Sequence, residues 1–291
     1  MDPFLIVIIV MAMPRLIPAR DSTDCTIVPM DDSLATNCYF RLVRLAPGKS
    51  LHLQATAWET LCVVLSGCLE IEVNGETFAQ VGKRRDIWSG QADSVYAGTQ
   101  RSIILRNGEV PAEVAIIAGR CPGEHAPFRI RPEEVEMVDV GSADTHSRRR
   151  IYHILGPNGH DRCGNLLVSE LYADPGCWSG YPPHKHDEER PPVETAFQEI
   201  YHYRFDPPSG FGGQYHYREA ESPTAVMTRD GDTFIVENGY HPTSTSPGHR
   251  GYILTILVGS HQRSLVQYFD PAHADLLDQI PGLQAMRDKF K

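Results

Sequence analysis

The sequence contains no Cys-x-x-Cys pair, no apolar run of membrane length, and no basic run longer than three residues, as in Arg148 to Arg150. Each absence removes a class of function. A membrane span needs about 20 apolar residues, and the opening MDPFLIVIIVMAMPRLIPAR offers only the run from Phe4 to Met13, with no basic flank before it. Residues 1–20 are therefore expected to be a leader or an extension from an upstream start, not a membrane anchor or signal peptide. The seven cysteines (Cys25, Cys38, Cys62, Cys68, Cys121, Cys163 and Cys177) are odd in number and scattered. They suit neither a disulfide framework nor a zinc ribbon, and read as reduced thiols of a cytoplasmic protein. A formal net charge of −10 without clustered Lys and Arg excludes nucleic acid as the main partner. Amphipathic helices are scarce as well. Only the final PAHADLLDQIPGLQAMRDKFK has a helical pattern, and Pro281 is placed to interrupt it.

What the chain has instead is 22 prolines, 24 glycines and many short runs of Val, Ile, Leu and Tyr between turn signals. That is the pattern of an all-β sandwich or barrel. It occurs twice. ETLCVVLSGCLEIEVNGE followed by VGKRRDIWSGQADSVYAG has its counterpart in QEIYHYRFDPPSGFGGQYHY followed by TRDGDTFIVENGYHPTS. We expect two tandem jelly-roll barrels, residues 21–125 and 151–291, joined by residues 126–150 and ending in a short helical segment. The copies differ in chemistry. Matched by position, His52 and Gln54 of the first take the places of His184 and His186 in the second, and Tyr96 falls near the place of His241. One His and one Gln make a poor transition-metal site, so the chemistry is assigned to the second copy.

There, His184 and His186 stand at i and i+2 and share one face of a strand. Glu199 begins a run in which Glu199, Tyr201 and Tyr203 alternate along one face, and His241 follows Gly239 by two residues. Three neutral imidazoles and one carboxylate suit one divalent ion per chain, with zinc first and Mn, Fe, Co or Ni also compatible. Glu199 is preferred over Glu188, Glu189 and Glu194, which lie in a loop broken by Pro191 and Pro192. Tyr201 and Tyr203 are expected to line the cavity, while His202 has the opposite parity and should face away. Gly239 is expected at positive φ, to turn the His241 imidazole inward.

The order H-x-H, Glu, G-x-H on a duplicated all-β chain resembles the cupin superfamily, although twelve residues separate His186 from Glu199 where the common cupin spacing is a few. RRRIYHIL, GCWSGYPPHKHDEERPP, QEIYHYRF, RDGDTFIVENGYHP and SPGHRGYILTILVG together resemble the 5-deoxyglucuronate isomerase family of myo-inositol catabolism, which is related to the 5-keto-4-deoxyuronate isomerases. The resemblance implies a bicupin enzyme that converts 5-deoxy-D-glucuronate to 2-deoxy-5-keto-D-gluconate. It also implies a small sugar-acid substrate, no nucleic-acid or membrane partner, and a chain compatible with a homo-oligomer. Such an isomerisation moves a proton between neighbouring carbons and stabilises the negative charge formed between them. For the proton, Tyr201, Tyr203, Glu199 and an ion-bound water stay open, and a hydride shift would need no base. For the substrate, Tyr201, Tyr203, Gln214 and Arg250 are candidates, and Lys185 and Arg204 are conceivable carboxylate partners that parity turns outward. Another cupin isomerase or oxygenase, and a non-catalytic sugar-binding bicupin, are the alternatives.

Overall fold

The strand Leu69–Val73, sequence LEIEV, buries Leu69, Ile71 and Val73 and turns Glu70 and Glu72 toward Arg106. This is the period of two that a sheet with one wet face imposes. Applied along the chain, the rule yields two barrels of like construction. They are described in a computed structural model covering residues 15–55, 57–121, 123–219 and 221–289. The apolar run Phe4 to Met13 lies outside the described residues.

In the first half, a six-stranded antiparallel sheet has the spatial order Phe128–Ile130, Asp93–Ala97, Trp58–Ser66, Ala112–Arg120, Cys38–Leu45, Asp24–Val28. It closes over a four-stranded sheet of Ser50–Ala55, Arg101–Asn107, Leu69–Val73 and Glu76–Val81. The space between them is filled by aliphatic side chains such as Val43, Val64, Ile71, Ile103 and Leu105. In the second half, a seven-stranded sheet runs Arg15–Ile17, Thr233–Val236, Phe197–Asp206, Arg250–Gly259, Leu166–Ala173, Arg149–Leu155, Glu136–Val140. Its four-stranded partner is Trp178–Ser179, Thr243–Thr245, Phe211–His216 and Thr224–Arg229. Residues 15–17 thus add an edge strand to the second half's sheet.

The two large sheets pack back to back. Phe40, Leu61, Val63 and Ile117 from the first meet Ile154, Leu166, Ile200 and Ile256 from the second in one core cluster. Two buried carboxylates cross this seam. Glu59 accepts from the backbone N–H groups of Gly164 and Leu166 and from the Tyr96 hydroxyl. Glu170 takes both guanidinium nitrogens of Arg84, at 2.9 and 2.6 Å, and the Tyr252 hydroxyl at 2.9 Å. Burial works against the charge on Arg84, and Glu170 outweighs it and raises its pKa.

The equivalence drawn for the first half needs correction. In Ser50–Ala55, Leu51 and Leu53 pack on the barrel core while His52 and Gln54 are exposed. Tyr96 belongs to the core cluster between the barrels and is hydrogen-bonded to Glu59. The physical reason is that packing the two half-buried leucines against the core fixes the phase of the strand, and the polar residues follow to the other face. The interior of the first barrel is aliphatic.

At the C-terminus the 3-10 segment Pro271–Leu276 and the helix Leu283–Asp288 are separated at Pro281 and Gly282, as the sequence implies. Gly282 has φ 74°, and a Cβ there would lie 2.1 Å from the Asp139 carbonyl oxygen, so only glycine fits. Leu283 and Met286 then pack on Val138, Val140, Ile151 and Phe269. No helix among the described residues is long and apolar enough to cross a membrane.

Glu170→Gln should lower unfolding stability by about 3–5 kcal/mol, because it leaves Arg84 buried without its counter-charge. Denaturant titration checks this, and a loss below about 1 kcal/mol would show that the pair does little to hold the barrels together.

Candidate metal centre

The segment His184–Lys185 pairs with Tyr268–Phe269, which brings both histidines to the mouth of the second barrel. His184, His186 and His241 each offer a ring nitrogen within 4.8 Å of the others, and all are buried. The tautomers follow from the backbone. His184 Nδ1 lies 3.2 Å from the Pro182 carbonyl, His186 Nδ1 3.2 Å from that of Phe197, and His241 Nδ1 2.8 Å from that of Gly239. A carbonyl oxygen can only accept, so each Nδ1 carries a proton and each Nε2 is left with a lone pair.

Glu199 sits on the interior face of Phe197–Asp206. Its Oε2 is 3.0 Å from His186 Nε2 and 3.2 Å from His241 Nε2. Burial works to raise the Glu199 pKa, but the His186 and His241 imidazoles beside it outweigh burial and hold the carboxyl at about 2. The His184 imidazole is pushed well below its ordinary range by burial and then by its two histidine neighbours, and stays neutral. For His186, burial opposes protonation, yet the contact with Glu199 raises its pKa. Nitrogen lone pairs and an ionised carboxylate thus face one another in a buried space, which requires a positive charge among them. A proton on His186 supplies one; a divalent ion supplies it for the whole set. His241 Nε2, buried without a hydrogen-bond partner, is the atom such an ion would satisfy. Carbonyl-anchored imidazoles are the usual second layer of a metal site, so the donor set fits the ion expected from the sequence.

The loop behind the histidines holds them in place. Lys185 turns outward between them and is clamped by Asp187, Glu188 and Glu194 at 2.6, 2.9 and 3.0 Å. Glu194 is fully buried and also accepts the N–H groups of Asp187 and Glu188 and a nitrogen of Arg190. Its direction is therefore fixed, contrary to the expectation for a proline-broken loop, but it is fixed on Lys185 and away from the imidazoles. Asp187 Oδ2 accepts from Gly239 N at 2.8 Å, tying the H-x-H segment to the G-x-H segment. Gly239 has the expected positive φ, 73°.

The cavity beside the imidazoles is lined by Tyr201, Arg149, Thr255 and Gln267, with Leu257, Leu265 and Met286 among its apolar wall residues. Of the candidates named from the sequence, Tyr201 reaches it. Burial and the neighbouring Glu199, to which it is hydrogen-bonded, keep the Tyr201 phenol protonated well above its usual range. The other three lie elsewhere. Tyr203 donates to Gln214 Oε1 at 2.5 Å, and Gln214 spends its amide on the carbonyls of Tyr215 and His241. Arg250 pairs with Asp206 at the surface and lies over the Trp88 ring. His202 faces the first barrel, bonded to Thr233 and edge-on to Phe40. His216 Nε2 is held by the Asn238 carbonyl at 2.6 Å. Arg149 and Gln267, whose Nε2 is 2.8 Å from His184 Nε2, went unnoticed in the sequence.

The KduI/IolB family matches residues 15–276. The 5-deoxy-glucuronate isomerase of Bacillus velezensis is 31% identical over 245 residues, covering 82% of this chain and 88% of that protein. The protein of the same name from Bacillus subtilis strain 168 is 30% identical, covering 87% of this chain and 92% of its own length. Among solved structures, an IolB-like protein from Salmonella typhimurium LT2 superposes with a TM-score of 0.83 at 26% identity, covering 91% of this chain and 99% of that one. Oxalate decarboxylase from Bacillus subtilis superposes with a TM-score of 0.59 at 12% identity, covering 92% and 80%, a likeness of fold alone. A two-barrel cupin matched over nearly all of its described length in this way belongs to the KduI/IolB family and is an isomerase.

Proposed function

We propose that the chain isomerises 5-deoxy-D-glucuronate to 2-deoxy-5-keto-D-gluconate with one divalent ion, zinc first, held by His184, His186, Glu199 and His241. The observation that carries this reading is the convergence of three carbonyl-anchored imidazoles on one carboxylate inside the second barrel. When bound, the ion supplies a Lewis acid for the negative charge that develops on neighbouring substrate oxygens. The remaining roles fall to side chains of the cavity. Tyr201, protonated and one alternation beyond Glu199 on the cavity wall, donates to the oxygen that gains charge. Thr255 and Gln267 offer hydrogen bonds to hydroxyls. Leu257, Leu265 and Met286 exclude water, so these polar contacts act in a low dielectric.

Purified protein incubated with 5-deoxyglucuronate and followed by proton NMR should show loss of the aldehyde without uptake of O₂. Dialysis against a chelator should stop the reaction, and a divalent ion should restore it. Conversion that consumes O₂, or that survives chelation undiminished, would refute the proposal.

Glu199→Gln should lower metal content after gel filtration and reduce kcat/KM by about 100-fold or more. Glu194→Gln should keep its metal and lose about 1–3 kcal/mol of stability, since Lys185 and two backbone N–H groups lose an anionic acceptor. Retained metal in the first variant with loss in the second would move the site into the loop.

A further inference from the structure

We propose that Arg149 binds the carboxylate of the sugar-acid substrate, at the wall of the same cavity that presents the imidazoles. The inference rests on the functional reading above and adds to it the group that selects an acid over a neutral sugar.

Arg149 is 2% exposed and lines the cavity together with His184, His186, Glu199 and Tyr201. It belongs to the run Arg148 to Arg150, whose members alternate in direction along the start of Arg149–Leu155. Arg148 reaches Asp139 and Asp174, and Arg150 reaches Asp174. Arg149 turns inward and has no carboxylate partner among the described residues. Its terminal nitrogens donate to two carbonyls, Ser147 O at 2.8 Å and Tyr181 O at 2.7 Å. These contacts fix the guanidinium plane and leave its other donors for a ligand, since the group carries five N–H bonds in a rigid fork.

The other conceivable cations are engaged elsewhere. Lys185 is clamped by three acids, Arg204 pairs with Glu113, and Arg250 pairs with Asp206. A buried guanidinium without a counter-charge is unfavourable, and burial lowers the Arg149 pKa to about 10. An incoming carboxylate removes that penalty through a bidentate pair of the strong, charge-assisted kind. The chemistry of the substrate asks for this arrangement. Its carboxylate stands at the far end of a six-carbon chain from the reacting aldehyde, so its cation must sit in the same cavity and apart from the imidazoles.

The test compares 5-deoxyglucuronate with 5-deoxyglucose, which carries a CH₂OH group in place of the carboxylate. Metal-loaded wild type, Arg149→Lys and Arg149→Gln are assayed, with metal content and thermal unfolding measured alongside. Wild type should prefer the acid in kcat/KM by about 100-fold, the worth of a charge-assisted bidentate contact. Arg149→Gln should lose most of this preference, with a fall in kcat/KM far larger on the acid than on the neutral sugar. Arg149→Lys, which keeps the charge and is the safer variant to fold, should retain an intermediate preference. Equal losses on both substrates in the folded variants, or an unchanged preference, would overturn the role of Arg149 while leaving the proposed reaction standing. A wild type inert toward 5-deoxyglucuronate would instead overturn the reaction, and this inference with it.

Discussion

The strand Phe197–Asp206 is buried on both faces, and the rest of the molecule is arranged around that constraint. A period of two sends Glu199, Tyr201, Tyr203 and Phe205 into the second barrel and Ile200 and His202 toward the first. A carboxylate can be aimed into a barrel only if the strand carrying it cannot slip, because a slip of one residue would reverse every side chain. Here both faces hold the register. Arg250–Gly259 pairs with the strand along its whole length, and the first barrel covers its back. The first half, whose interior is aliphatic, thereby serves the second half as a rigid backing, with Arg84 to Glu170 and Glu59 to Gly164 as its polar fasteners.

The histidines depend on a second layer of the same kind. They come from short, irregular segments, so their positions are set by hydrogen bonds more than by sheet register. Three backbone carbonyls choose the tautomer, Glu194 and Lys185 shape the loop after the H-x-H pair, and Asp187 fastens that loop to Gly239. The acidic loop thus has a mechanical use although none of its carboxylates points at the imidazoles. This division leaves Glu199 as the carboxylate in contact with them. It is also why a polar loop of this length is found beside a buried site: its charges are paired with one another, so the barrel mouth is held without exposing the histidines.

Much of this was legible in the sequence wherever alternation is strict. The two all-β halves, the inward phase of Glu199 and Tyr201, the outward phase of His202, Lys185 and Arg204, and the break at Pro281 follow from period and turn chemistry alone. The first half was misread at His52 and Gln54 because they were matched to the H-x-H pair by position, although SLHLQA itself says that the leucines go inward. Arg149 was passed over because three consecutive arginines read as a surface patch. Strand parity within RRRIYH sets the middle one on the face of Ile151 and His153, and that signal was present. Contacts that join distant loops, such as Asp187 to Gly239 and Arg149 to Tyr181, have no local signature. Nor does the pairing of Tyr203 with Gln214, which removes both from the cavity.

The proposed reaction depends on one ion bound in the second barrel by side chains that backbone carbonyls hold. Anomalous diffraction at the metal edge, from crystals of protein loaded with a single divalent metal, tests it most directly. One peak per chain is expected, among the Nε2 atoms of His184, His186 and His241 and against the Glu199 carboxylate. A peak inside the first barrel, or one held by Asp187, Glu188 and Glu194 in place of the histidines, would contradict it.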